Sequence, residues 1–123
     1  MKLMQGNWVM LPHFDNHIAQ VREIKPHGIW VDIKGEQQFA GLSEFVGVPL
    51  TPEVLDKCPQ LVVMDGLGNF SYDDCFRFTW KPQYNYFYVQ SYACRDYITK
   101  IEFVHELQNF ISVVHNTELI VNL

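Results

Sequence analysis

The chain reads as an α+β protein, and three observations carry that reading. From Gly6 to Leu50, short β-rich runs alternate with tight turns. Phe76, Phe78 and Trp80 alternate with Arg77 and Thr79 ahead of a Lys81-Pro82-Gln83 connection, and Val104, Leu107, Ile111 and Val114 recur at helical spacing. The expected architecture is an N-terminal curved antiparallel sheet, a short helix, a β-hairpin region and a C-terminal amphipathic helix, in one domain over residues 1–123.

Taken in order, strands are expected at 7–11, 18–24, 28–33 and 37–42. They are separated by Pro12-His13-Phe14-Asp15-Asn16, Lys25-Pro26-His27-Gly28 and Lys34-Gly35-Glu36. Strands this short, joined this tightly, imply a small and strongly bent sheet. Its glycine-led first strand, the Val21 and Ile24 strand, and the Gly28-Ile29-x-Val31 strand are similar to SH3-like small barrels of the KOW and Tudor kind, so 6–50 is expected to be a barrel part.

Thr51-Pro52-Glu53 is a helix start: a Thr N-cap, Pro at the first helical position, and an acid where the dipole favours it. Cys58-Pro59 stops that helix near Lys57, with Val54 and Leu55 facing inward. The remainder, 51–123, forms a hairpin-plus-helix part with strands at 61–65, 74–80, 84–92 and 98–103. The 118–123 tail is a candidate edge strand. No repeat or flexible linker intervenes, so the two parts are expected to share one core.

The 123 residues suit one ordinary domain. With 48% hydrophobic, 15% aromatic and 19% charged residues, the composition excludes disorder. Nine Lys and Arg against fourteen Asp and Glu leave a formal charge of −5, which disfavours nucleic acid as a partner. The N-terminus lacks the apolar run of a signal peptide and no stretch is apolar enough to span a membrane, so a cytoplasmic protein without a membrane partner is expected. Cys58, Cys75 and Cys94 are odd in number and form no C-x-x-C pair. They are expected to be reduced, mostly buried residues, neither a disulfide framework nor a cysteine zinc site.

Gly6-Asn7-Trp8-Val9, Pro49-Leu50-Thr51-Pro52-Glu53 and Val104-His105-Glu106-Leu107-Gln108-Asn109 together resemble a family of small proteins from gut Bacteroides-type bacteria and their phages. That family has no established activity, so the resemblance implies a bacterial or mobile-element setting and no mechanism. Where the family carries a Leu-Leu-x-x-x-Gly-Phe continuation of the middle helix, this chain has Leu55-Asp56-Lys57-Cys58-Pro59.

Several constellations invite chemistry. His105-Glu106-Leu107-Gln108-Asn109 begins like the zincin H-E-x-x-H, and His115 stands where metzincins place a third ligand. Zinc needs two imidazoles one helical turn apart, and Asn109 occupies the second position. Ser112 replaces the glycine that turns the metzincin chain, so the helix should run on and leave His105 and His115 on the order of 15 Å apart. No zinc is expected there. Asp73 and Asp74, adjacent on an expected strand, point to opposite faces, while Asp65-Gly66 and Gly68-Asn69 read as turn dipeptides. Gly66-x-Gly68 is no nucleotide fingerprint, no nucleophile motif is present, and His13, His17 and His27 read as solvated turn histidines.

Two features suit recognition. Tyr84, Tyr86, Tyr88 and Tyr92 alternate on one strand face with Phe87 and Val89 on the other, which makes either a ligand platform or ordinary cross-strand packing on a central strand covered on both sides. His105, Gln108, Asn109 and Ser112 form a polar stripe on the last helix, either an outward recognition face or an inward fold-specifying network.

The expected function is therefore non-enzymatic: a protein-binding or accessory protein of a bacterial or phage genome, its partner another protein. The alternative is a small-ligand or nucleic-acid binding module using Trp8, Trp30 and the tyrosines. No catalytic residue, cofactor or metal is expected.

Overall fold

Residues that tolerate a left-handed backbone stand at most of the strand junctions, and they set the strand ends. In the computed structural model, which describes residues 2–93 and 97–123, Asp15, Asn16, Lys34, Gly35, Gly68, Asp73, Asp74 and Asn85 all have positive φ. The chain divides into two compact units. One runs to Val48 and takes in Val104–Phe110, and the other comprises Pro49–Phe103 and Ile111–Leu123.

The first unit is a five-stranded antiparallel sheet of β1 (Trp8–Leu11), β2 (His17–Lys25), β3 (Gly28–Ile33), β4 (Glu36–Gly41) and β5 (Val46–Gly47), in the order β4-β3-β2-β1-β5. β2 pairs with β1 through its first half and with β3 through its second. A register shift between Val21 and Glu23 lets it turn from one to the other. Val9, Leu11, Ala19, Val21, Ile29, Val31, Ala40 and Phe45 form its buried cluster. Gly28 is required by close approach, since a Cβ there would collide with the Ala40 carbonyl. The two-residue β5 carries no periodic signal of its own, which is why sequence reasoning misses it.

The second unit opens with α1 (Pro52–Leu55), where Thr51 Oγ1 accepts a hydrogen bond from the Val54 N–H at 3.3 Å and Leu55 is buried. Its sheet holds β6 (Leu61–Val63), β7 (Asn69–Tyr72), β8 (Phe76–Lys81), β9 (Tyr86–Ser91) and β10 (Tyr97–Ile101), in the order β10-β9-β8-β7-β6. Phe70, Tyr72, Phe78, Phe87, Val89 and Ile101 are buried. Trp80 lies 4.8 Å from Phe87 between ring centroids.

Four expectations are corrected here. The Asn69-Phe70-Ser71-Tyr72 strand is buried at every position and so shows no alternation to read. Asp73 and Asp74 lie in a turn after that strand, not within the next one, and both are left-handed. The 118–123 tail buries Leu119 and Val121 yet forms no strand; it is held by the Asn122 N–H on the Lys57 carbonyl at 2.9 Å and by the Gln60 side chain. Phe103 makes an isolated bridge to Pro49, so the strand before the last helix ends at Ile101.

α2 (Val104–His115) closes on Asn116 in the left-handed conformation that ends helices. Val104, Leu107 and Ile111 are fully buried, as their spacing predicts, whereas Val114, expected on the same stripe, is exposed. Among the described residues, no helix is long and apolar enough to cross a membrane.

Candidate functional site

The polar stripe of α2 is turned inward over its first two turns. His105 is only 4% exposed and Gln108 is also buried. Gln108 Oε1 accepts from the Trp8 N–H at 2.9 Å and lies 3.5 Å from Asn7 Nδ2, while its Nε2 donates to the Gly6 carbonyl at 3.1 Å. Asn109 Oδ1 accepts from Asn7 Nδ2 at 2.9 Å, and its Nδ2 reaches the Lys2 carbonyl at 3.3 Å. Two amides thus bind the N–H of Trp8, at the start of β1, and carbonyls of the chain before it, where Gly6 also accepts from Gln20 Nε2 of β2 at 3.0 Å. Burial lowers the His105 pKa, because desolvation disfavours the imidazolium.

Gln108 and Asn109 are engaged in this internal network, so their amides are not presented as an outward recognition face. Ser112 lies half-buried further along the helix. α2 continues through Ser112 to His115, so the metzincin turn does not form.

The tyrosines are placed differently. In the second sheet, Phe76, Phe78 and Trp80 take the inner face, and Arg77, Thr79 and Lys81 the outer one. The β8–β9 register sets Arg77 opposite Gln90, Thr79 opposite Tyr88 and Lys81 opposite Tyr86. On the other side of β9, Lys100 stands opposite Tyr88. Tyr84, 62% exposed in the β8–β9 turn, stacks on Tyr86 with centroids 5.5 Å apart and planes within 12°. Tyr86 and Tyr88 follow at 5.2 Å with their hydroxyls 3.1 Å apart. Lys81 Nζ lies 5.1 Å from the Tyr88 centroid and Lys100 Nζ 5.3 Å from that of Tyr86, both in cation–π range.

Thr79, Lys81, Tyr86, Tyr88 and Gln90 line a groove of about 450 Å³. The alternative of a central strand covered on both sides is met on one face only: Phe87 and Val89 are buried, while Tyr86 and Tyr88 are half-buried among the described residues. Lys100 also pairs with Glu102 at 3.3 Å.

Trp8 and Trp30 belong to the first unit, on different strands, and each is half-buried. Trp8 lies on β1 opposite Gln20, whereas Trp30 on β3 makes an edge-on contact with Phe39 of β4 at 5.3 Å. His13 and His27 are exposed and His17 half-buried. Tyr92 leaves the ladder, and its hydroxyl contacts Met64 Sδ at 3.2 Å. There it lines a second groove, of about 710 Å³, with Gln60, Ser71, Asp73, His115 and Thr117.

Lys81 and Lys100 are the residues of this candidate site that sequence reasoning misses. Their signal was present as the Lys81↔Tyr86 and Lys100↔Tyr88 pairings, which no local pattern reveals without the register. A scan against family models, a search of curated proteins and a search of solved structures each found no match to this chain.

Proposed function

We propose that this chain is a non-enzymatic binding protein whose recognition surface is the tyrosine face of the second sheet, and that its partner is an acidic protein surface. The observation that carries the reading is the continuous Tyr84–Tyr86–Tyr88 ladder with Lys81 and Lys100 poised over its rings. Tyrosine offers large, rigid contact area at low entropic cost, aromatic side chains are enriched in interface cores, and lysines beside them steer an oppositely charged partner. The molecule carries a net charge of −5, so cations gathered on one face are a local exception that a carboxylate-rich partner would match.

The first unit supplies a scaffold of SH3-like kind in this reading, supported by the β4-β3-β2-β1-β5 order and the bend at Val21/Glu23. The resemblance carried by Gly6-Asn7-Trp8-Val9 and the α2 motif supports a bacterial or mobile-element origin.

The test compares the wild-type protein with the Lys81→Glu/Lys100→Glu variant in affinity capture, followed by binding of the purified captured partner at increasing salt. Capture that survives in the wild type, weakens with salt and is lost in the variant at an unchanged melting temperature is the expected result. Equal capture by both proteins refutes the assignment. Binding of a mixed-sequence single-stranded oligonucleotide by the wild type alone replaces the protein partner with nucleic acid stacked on the tyrosines.

A further inference from the structure

The sequence places Asp73 and Cys75 two residues apart and His115 forty residues downstream, a spacing that matches no metal motif. Folding brings the three together within the second unit. Tyr72 pairs with Phe76, so residues 73–75 form the β7–β8 loop, closed by the Cys75 N–H on the Tyr72 carbonyl at 2.9 Å. The Cys75 carbonyl accepts in turn from the Tyr92 N–H at 3.0 Å, so its backbone is pinned on both sides. His115, on the last turn of α2, has ring centroids of Tyr72 and Phe76 at 5.0 and 6.1 Å, and its Nδ1 lies 3.4 Å from Asp73 Oδ2.

We propose that Asp73, Cys75 and His115 are the protein ligands of a zinc-type transition-metal site at the edge of the 710 Å³ groove. One ligand atom from each residue lies within 4.8 Å of the others. Bonds of about 2.0–2.3 Å in a tetrahedral site put ligand atoms about 3.3–3.8 Å apart, so closure needs a displacement on the order of 1 Å. The Asp73 side chain is 69% exposed and Cys75 is exposed, so both can rotate, while the aromatic neighbours hold the imidazole.

The donor set selects the metal class. Calcium and magnesium take oxygen ligands, whereas a sulfur, an imidazole nitrogen and one carboxylate suit zinc and its neighbours. Three protein ligands leave the fourth position open to water or a ligand from the groove, the arrangement that distinguishes open zinc sites from closed structural ones. Cys58 is no competing ligand, because it is buried and its thiol hydrogen-bonds the Val54 carbonyl.

The test uses the full chain with Cys94→Ser, stripped of metal by chelation and titrated with Co²⁺ as a spectroscopic probe, then with Zn²⁺ in competition. The expected result is one Co²⁺ per chain, a thiolate-to-cobalt charge-transfer band with tetrahedral ligand-field bands, and displacement by Zn²⁺. Cys75→Ser removes the charge-transfer band, and it weakens Zn²⁺ binding at least about tenfold at an unchanged circular dichroism spectrum. Asp73→Asn, which preserves side-chain shape, weakens binding without removing the band. Zn²⁺ should also protect Cys75 from alkylation, read by mass spectrometry. A cobalt spectrum without the thiolate band, binding that Cys75→Ser leaves unchanged, or alkylation of Cys75 at the same rate with and without Zn²⁺ overturns the proposal.

Discussion

His105 illustrates what burial does to one side chain. The sequence offers it as a candidate ligand or contact on a polar helix face, and the fold places it almost out of water with its pKa lowered by desolvation. The sign of the consequence follows. A histidine whose folded pKa lies below its unfolded value of about 6.5 favours the folded state while neutral. That contribution is complete above the unfolded pKa and is lost as pH falls through the folded one. Chemical denaturation across the acid range should therefore show stability falling below about pH 6.5, with His105→Gln flattening the early part of the fall. Parallel profiles for the two proteins would show that another group is responsible. Asp65 acts lower in the scale. The Leu67 N–H and then the Asn69 amide hold its carboxyl below the usual range, so the turn between β6 and β7 is weakened only when the carboxylate itself is protonated.

At the scale of elements, α2 combines two kinds of attachment. Its apolar stripe is legible as a 3.6-residue period, and Leu107→Ala should cost about 2–5 kcal/mol, the range for emptying a fully buried leucine site. Its amide pair is legible only as a set of polar residues, since a Gln three residues after a His is equally suited to solvent. Gln108→Ala leaves the Trp8 N–H without its partner, while the Gly6 carbonyl keeps the Gln20 amide, and should cost about 1–3 kcal/mol, measured by the shift of the denaturation midpoint. A midpoint shift near zero for Gln108→Ala would show that water replaces the amide. The strands divide in the same way. β3 and the β8 alternation are read directly, because half-buried strands alternate. β7 is missed because all four of its residues are buried.

For the whole molecule, the cysteines report on folding. Cys58 is buried, with its thiol pushed up to about 12 by desolvation, and Cys75 is exposed. Cys94 lies outside the described residues, so the expectation of three mostly buried thiols applies to the first two alone, and of these only Cys58 is buried. In a Cys94→Ser protein, a thiol reagent should label one cysteine at once in the native state and the second only at the rate of global unfolding. Two fast thiols would indicate that α1 and the Cys58-Pro59 turn open locally. Charge behaves similarly across scales: the overall −5 is a sum over the chain, and only the pairing of β8, β9 and β10 gathers Lys81 and Lys100 beside the tyrosines.

What the sequence determined by itself is what depends on neighbours in the chain. Thr51-Pro52 starts a helix, the 104–107–111 spacing buries one stripe of α2, and alternation in β8 separates Phe78 from Arg77 and Thr79. These follow from backbone sterics and from the two periods of regular structure. Tertiary structure alone decided which polar residues are satisfied internally and which are presented. Gln108 meets Gly6 and Trp8 about one hundred residues away, and Lys100 meets Tyr86 across a strand. Asp73 and Cys75 meet His115 where a hairpin loop reaches a helix end. Such contacts are made by register and packing between distant segments, and a polar side chain carries no mark in its local sequence of which distant segment will receive it.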